Sequence, residues 1–183
     1  MLLANPNRSF YKENLAISYS KLGSTHSALG NLEQALEFCE DDLVLTKELY
    51  TSYPTNVSFK NGLAISYSKL GSTHSALGNL EQALKFYEER SRLGKELYTS
   101  YPTNVSFKNG LAISYAQLGR FYRDQMENTA QARSYFKQCL VLWQALANDY
   151  PAFVEYQKNL KWVQNNLADL DKADDPVILL KRN

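Results

Sequence analysis

The stretch LAISYSKLGSTHSALGNLEQAL occurs twice in this chain without a single change, at residues 15–36 and 63–84. In the same register, residues 6–53 and 54–101 are identical at 34 of 48 positions. A catalytic centre acts at one point, so a second copy would be idle, whereas a surface made by stacking uses the same unit repeatedly. The duplication therefore predicts a repeat protein with a period of 48 residues.

The first half of each repeat has the apolar spacing of a helix. In repeat two, the residues of this stripe follow one another at steps of four and three, which places them on one helical face. They are Leu63, Tyr67, Leu70, His74 and Leu77. Gly78 then provides a signal for the end of this helix.

The second half of each repeat predicts another helix. Asn79 followed by Gln82 is typical of a capping box at a helix start, and the helix should end before Pro102, because the residue before proline avoids the α region. Its stripe comprises Ala83, Phe86, Tyr87, Arg90, Leu93, Leu97 and Tyr98. Each repeat is thus a hairpin of two helices of about 20 residues, or about 30 Å each.

The third copy is more diverged, and one extra residue lies between Gly119 and Asn128. After it, Val154, Leu160 and Leu167 align with a first helix and predict a terminal capping helix with a polar outer side. We expect a single domain over residues 1–183 with about seven helices. Its parts are repeat one (6–53), repeat two (54–101), repeat three (102–150), and a capping helix with a tail (151–183).

The composition excludes several classes of function. Lys and Arg number 20 against 19 Asp and Glu, so there is no bulk positive field for nucleic acid or an anionic membrane. No apolar run is long enough for a signal peptide or a membrane span, which favours a cytoplasmic protein. The two cysteines, Cys39 and Cys139, lie at apolar helical positions and are expected to be buried thiols.

The order of residues in repeat two resembles the tetratricopeptide repeat (TPR), whose pattern is an aromatic, Leu-Gly, an aromatic, a turn glycine, and Ala followed by an aromatic. The matching residues are Tyr67, Leu70, Gly71, His74, Gly78, Leu80, Ala83 and Tyr87. Repeat three matches through Tyr115, Leu118, Gly119, Tyr122, Ala132 and Phe136. This resemblance implies an all-α fold, a right-handed α-solenoid (superhelix) of antiparallel helix pairs.

The repeat is 48 residues long, whereas the usual tetratricopeptide repeat has about 34. If each helix is extended by seven residues, it turns by about 700°, within about 20° of two full turns, so the buried face stays buried. Gly71 and Ala83 are expected at the close approach of the paired helices.

The resemblance also implies a function. In such proteins the first helices of the repeats line a concave groove that holds a peptide or a partner helix. The matching positions in this chain are Glu13, Ser20, Ser24 and Ser27 in repeat one, Asn61, Ser68, Ser72 and Ser75 in repeat two, and Asn109, Ala116, Arg120 and Arg123 in repeat three. The Lys and Asn clamp by which some relatives grip a terminal carboxylate is replaced by serines here, which argues against the recruitment of heat-shock chaperone tails.

Repeat three has arginines at two groove positions where repeats one and two have serines, Arg120 and Arg123. Two guanidiniums one helical turn apart could hold an acidic side chain or a carboxylate through charge-assisted hydrogen bonds. The alternative is a solvated charged face near the end of the array.

No residue pattern indicates catalysis. His26 and His74 occupy equivalent positions, and Tyr122 stands there in repeat three, so both histidines are expected to be packed rather than to bind a metal. Glu33 and Glu81 begin second helices, where a carboxylate suits the helix dipole. We therefore expect no enzyme activity, cofactor or metal.

The leading hypothesis is a noncatalytic interaction scaffold for a protein or peptide. A second is a self-associating module that forms a dimer or an end-to-end stack through the uncapped first repeat or the apolar tail at residues 177–180. A third is a regulatory fragment of a larger signalling protein.

Overall fold

A computed structural model describes residues 6–173 of the chain. Within this range the fold is all-α, as predicted, and no strand occurs. The helices are α1 (Pro6–Ala28), α2 (Leu32–Ser52), α3 (Val57–Ala76), α4 (Leu80–Ser100), α5 (Val105–Asp124), α6 (Thr129–Asp149) and α7 (Val154–Ala173). The seven helices and their lengths of 20 to 23 residues agree with the sequence prediction. The apolar tail at residues 177–180 lies outside the described range.

The turns inside repeats one and two are built on glycine. Gly30 and Gly78 have positive φ angles of 79° and 78°, a conformation that costs a residue with a Cβ atom more than glycine. Beside Gly78, the amide of Asn79 donates to the carbonyl of His74 at 2.9 Å, and this bond closes the end of α3. The predicted glycine stop is confirmed.

Asparagine side chains cap the starts of several helices. Asn56 accepts hydrogen bonds from the amides of Ser58 and Phe59 at the start of α3, and Asn104 accepts one from the amide of Phe107 at the start of α5. Asn31, which is equivalent to Asn79 of the predicted capping box, makes no side-chain cap bond at α2. The capping box therefore does not form in repeat one, where the turn is held by backbone hydrogen bonds instead.

The extra residue of repeat three lies between its two helices, as predicted. Four residues separate α5 from α6, whereas three separate α3 from α4. In this longer turn Glu127 adopts a positive φ of 48°, and Asn128 caps α6 by accepting from the amide of Gln131 at 3.0 Å. The insertion is therefore absorbed by a loop, without a change inside either helix.

The chain forms two compact units, Met1–Leu97 and Tyr98–Asn183. In the first unit, buried residues of α2, α3 and α4 form one cluster. Its members include Cys39, Leu43, Leu63, Ala64, Tyr67, Leu70 and Leu93. The single continuous domain expected from the sequence remains a prediction.

The second unit has its own core between α5, α6 and α7. Phe136 is fully buried there, and its ring meets Trp162 edge to face with centroids 5.6 Å apart. Trp162 also lies edge to face with Trp143, at 6.1 Å. The polar capping helix predicted from Val154, Leu160 and Leu167 is thus the third layer of this unit.

Small residues sit where paired helices approach most closely, as predicted. Ala83 is completely buried, and a Cβ atom built on Gly71 would lie 2.7 Å from the ring of Tyr87. In repeat three, the same atom on Gly119 would lie 2.5 Å from the ring of Phe136. In repeats two and three the glycine of the Leu-Gly pair therefore makes room for an aromatic ring of the partner helix, whereas in repeat one Gly23 faces the sulfur of Cys39.

Candidate functional site

A cleft of about 360 Å³ opens between α1 and α3 in the first unit, with α2 as its inner wall. Its lining mixes aliphatic, hydroxyl and charged side chains. These residues are Glu13, Ala16, Ile17, Ser20 and Lys21 of α1, Asp42, Thr46 and Leu49 of α2, and Ser58, Phe59, Asn61, Gly62, Ile65 and Ser66 of α3.

Helical spacing explains why these residues meet. Glu13, Ile17 and Ser20 are four and three residues apart, so they lie on one face of α1. Asp42, Thr46 and Leu49 show the same spacing on α2. Ser66 joins the two elements, because its hydroxyl lies 3.1 Å from the hydroxyl of Thr46. The lining of the cleft therefore follows from the spacing of these residues along the helices.

The inner wall carries a buried carboxylate. Asp42 is only 2% exposed, and the hydroxyls of Ser66 and Ser20 donate hydrogen bonds to it. Within the described residues, its Oδ2 atom has no hydrogen-bond partner. Burial raises the pKa of Asp42, while the two hydroxyls and the nearby Lys69 act in the opposite direction.

Lys69 crosses from α3 to α1 beside this carboxylate. Its ammonium donates to the carbonyl oxygen of Ser20 and to the hydroxyl of Ser24, both at 2.6 Å. Ser20 and Ser24 were predicted to face a partner, and the structure shows that they also bind a lysine of the next repeat. These two serines therefore hold α1 and α3 together.

The structure brings together only part of the predicted groove. Glu13, Ser20 and Asn61 line the same cleft. On α3, Ser72 accepts a hydrogen bond from the hydroxyl of Tyr87 at 3.3 Å, while Ser68 and Ser75 are half-buried. The cleft thus unites predicted residues of repeats one and two.

Two predicted residues of repeat three, Asn109 and Arg123, have partners within their own unit. Asn109 accepts a hydrogen bond from the indole of Trp143 at 2.9 Å. Arg123 binds the carboxylate of Asp124 and donates to Asn166 of α7, so it anchors the capping helix. Arg120 is exposed. The two predicted arginines therefore have different surroundings.

Each histidine packs against a phenylalanine of its partner helix. His74 is buried and stacks on Phe86 with ring centroids 5.4 Å apart, and His26 stacks on Phe38 at 5.2 Å. Burial lowers the pKa of His74, which keeps its imidazole neutral at physiological pH. The predicted packing role is confirmed.

Both cysteines are free and buried. Burial raises the pKa of each thiol, so neither is present as the reactive thiolate at neutral pH. Across residues 6–173 no group of three or more His, Cys, Asp or Glu side chains is arranged to hold a metal ion. Nor does any helix in that range combine the length and apolar character of a membrane span.

The sequence reasoning missed Asp42 and Lys69. A signal for Asp42 was present, because it occupies a position on the buried stripe of α2 that is Arg90 in repeat two and Cys139 in repeat three. Because this buried position is acidic in repeat one and basic in repeat two, its charge is not needed for packing the helix pair. Such a difference indicates a role specific to repeat one. Lys69 gave no such signal, since its contact with α1 depends on how neighbouring repeats are placed.

Comparison with known families agrees with this architecture. One family model described as tetratricopeptide repeat matches residues 15–50 and 63–96, and a second model with the same description matches residues 112–142. Together these segments cover more than half of the 183 residues. A search of curated proteins found no match. On the shared residue pattern, the helix pairs and these matches, the chain belongs to the tetratricopeptide repeat family.

Proposed function

We propose that this protein is a noncatalytic scaffold that binds a peptide or a segment of a partner protein in the cleft between α1 and α3. Tetratricopeptide repeats are generally protein interaction modules, which supports the class of function. The observation that carries the proposal is the cleft itself, because three positions predicted from the family groove, Glu13, Ser20 and Asn61, line one opening with apolar walls.

The lining suits a peptide better than a small polar metabolite. Ile17 and Ile65 are exposed apolar residues in the cleft wall, and covering them would stabilise a complex. Polar groups such as Asn61 supply hydrogen bonds that can orient a backbone. We therefore place the partner segment along α1 and α3, with side chains directed towards α2.

A bulky side chain at Gly62 should block the cleft and weaken this binding. Gly62 lines the cleft, and a Cβ atom built on it meets no heavy atom within 4 Å, so Gly62→Phe places a ring in open space. Peptides selected from a random library displayed on phage against the wild-type protein should lose at least about tenfold in affinity for Gly62→Phe, as measured by fluorescence anisotropy.

Gly62→Ala is the matched control, because it changes the same residue without filling the cleft, and it should keep wild-type affinity. Circular dichroism would verify that both variants are folded. Selected peptides that bind Gly62→Phe as tightly as wild type would show that partners use another surface.

The surface of α1 favours self-association as a second candidate function. Leu15 is 45% exposed, whereas its equivalent Leu63 is 4% exposed. Leu22 is 42% exposed, whereas its equivalent Leu70 is fully buried. In repeat two these leucines belong to a core cluster with Cys39 and other residues of α2. The equivalent leucines of α3 are covered by α2, whereas those of α1 are exposed. A helix of a second copy of the chain could cover the exposed leucines of α1 in the same way.

Replacing both leucines by serine should prevent that association. Light scattering over a hundredfold range of concentration should show the wild-type mass rising above 20.9 kDa, while the variant Leu15→Ser/Leu22→Ser stays at 20.9 kDa. Val44→Ser/Val141→Ser, which removes two apolar side chains that are 55% and 69% exposed, should behave like wild type. A wild-type mass of 20.9 kDa at every concentration would exclude self-association as a function.

Arg120 remains a proposed contact for an acidic group of the partner. Arg123 anchors α7 through Asn166. Replacing both arginines could therefore lower affinity by destabilising the fold and not by removing a contact with the partner. Arg120→Ser alone is the cleaner substitution, and unchanged affinity for an acidic peptide that binds the wild-type protein would exclude Arg120 as its contact.

A further inference from the structure

The carboxylate of Asp42 is the least satisfied polar group of the cleft. The side chain is 2% exposed and lines the inner wall, and within the described part of the chain its Oδ2 atom has no hydrogen-bond partner. An ionised carboxylate removed from water normally requires a cation or a full set of donors. Two serine hydroxyls supply part of that set, which leaves one oxygen uncompensated.

The repeat framework does not need a carboxylate at this place. The equivalent residues are Arg90 and Cys139, and both are buried in their own helix pairs. The helix pair therefore tolerates a base, a thiol or an acid there. The acid in repeat one is a feature of this cleft rather than of the fold.

Among the described residues, no cation forms an ion pair with Asp42. Lys69 is near enough to lower its pKa, but the ammonium of Lys69 donates to Ser20 and Ser24. Lys21 also lines the cleft, and Glu13 adds a second acidic group to the lining. Among residues 6–173, Asp42 forms no ion pair within 4 Å.

The walls in front of Asp42 are suited to an aliphatic chain. Ile17, Phe59 and Ile65 contribute apolar surface, and the volume of about 360 Å³ exceeds that of one long side chain. We propose that the cleft receives a basic side chain, Lys or Arg, of the bound segment, with its alkyl stem between α1 and α3 and its cation against the Asp42 carboxylate. This inference rests on the proposed function, because it assigns a chemistry to the same cleft.

Small probes can test the site without knowledge of the natural partner. n-Butylammonium and n-butylguanidinium reproduce the end of a lysine and an arginine, and 1-pentanol is an uncharged control of similar length. In proton–nitrogen NMR titrations at millimolar concentration, the two cations should shift the amides of Ile17, Thr46 and Ser66 to saturation. We expect 1-pentanol to bind at least about tenfold more weakly, the usual contribution of one charge-assisted hydrogen bond.

Asp42→Asn tests the carboxylate at constant shape. The variant should bind both cations at least about tenfold more weakly and leave 1-pentanol binding unchanged. Glu13→Gln is the matched control, because it removes the other acid of the cleft, and we expect a smaller loss. Equal binding of the cations and 1-pentanol to the wild-type protein, or undiminished cation binding by Asp42→Asn, would overturn the proposal.

The stability of Asp42→Asn separates a binding role from a structural one. Because the folded state raises the pKa of Asp42, its ionisation costs stability as the pH rises above its ordinary value near 3.8. The groups that face it, Lys69, Lys21 and Glu13, are unchanged in the variant. Asp42→Asn should therefore be more stable than wild type at pH 7 and equally stable near pH 3. A variant less stable at pH 7 would show that the carboxylate holds the fold, and the proposal would fail.

The two proposals can fail separately. If the cations bind through Asp42 but peptides still bind Gly62→Phe, then the basic pocket exists and the partner surface lies elsewhere. If Gly62→Phe abolishes peptide binding but the peptides bind Asp42→Asn normally, then the cleft is the partner surface. The proposal that a basic side chain of the partner contacts Asp42 would then be wrong.

Discussion

Replacing Phe136 with alanine should lower the free energy of unfolding of the second unit by about 3–5 kcal/mol. The ring is completely buried, lies edge to face with Trp162 at 5.6 Å, and fills the space that the missing side chain of Gly119 leaves. Because helices cannot close fully around a lost ring, the variant loses both the transfer free energy of the ring and the contacts that surround the cavity. Such a loss is a large fraction of the 5–15 kcal/mol typical of a domain.

Tryptophan fluorescence provides a probe that reports on this unit alone. The chain has two tryptophans, Trp143 and Trp162, and both lie in the second unit. Unfolding in guanidinium chloride, followed at an excitation selective for tryptophan, should show the midpoint of Phe136→Ala at a lower denaturant concentration than that of wild type.

Val141→Ala on the same helix is the control, since Val141 is 69% exposed and should change stability by no more than about 0.5 kcal/mol. A loss of less than about 1 kcal/mol in Phe136→Ala would mean that this ring is not a core element.

The fold could be predicted from the sequence because the same pattern of apolar residues, glycine and proline occurs in successive repeats. The stripe from Leu63 to Leu77, the glycine at 78 and the proline at 102 specify a helix, a stop and a second helix, and the structure places each of them as expected. These signals depend only on the spacing of residues and on local backbone conformation, so the sequence of a single repeat is enough to reveal them.

The site was less predictable because it depends on what differs between copies. Glu13, Ser20 and Asn61 were placed in the groove by analogy with the family, and they line one cleft. Asp42 was overlooked because the acid occurs in repeat one alone, whereas the equivalent residues of repeats two and three are Arg90 and Cys139. Arg123 was predicted to contact an acidic group of a partner, and its bond to Asn166 was not foreseen because it depends on the position of α7, which spacing along the chain does not determine.

Gly71→Ala should destabilise the first unit, while Gly62→Ala on the same helix should stabilise it. Both changes replace a helical glycine by alanine and gain about 0.5–1 kcal/mol from helix propensity. The added Cβ atom at position 71 would lie 2.7 Å from two ring atoms of Tyr87, whereas at position 62 it meets nothing within 4 Å. The ring has little freedom to move, because it is buried and its hydroxyl donates to Ser72.

Since the propensity gain is the same in both variants, the difference between them isolates the steric cost at Gly71. We expect Gly71→Ala to be less stable than Gly62→Ala by about 1–3 kcal/mol, the usual cost of overpacking a well-filled core. Far-UV circular dichroism during urea unfolding would measure both variants, and the tryptophan signal of the second unit should remain unchanged. Equal stabilities would contradict the close helix approach at Gly71, because only that approach distinguishes the two sites.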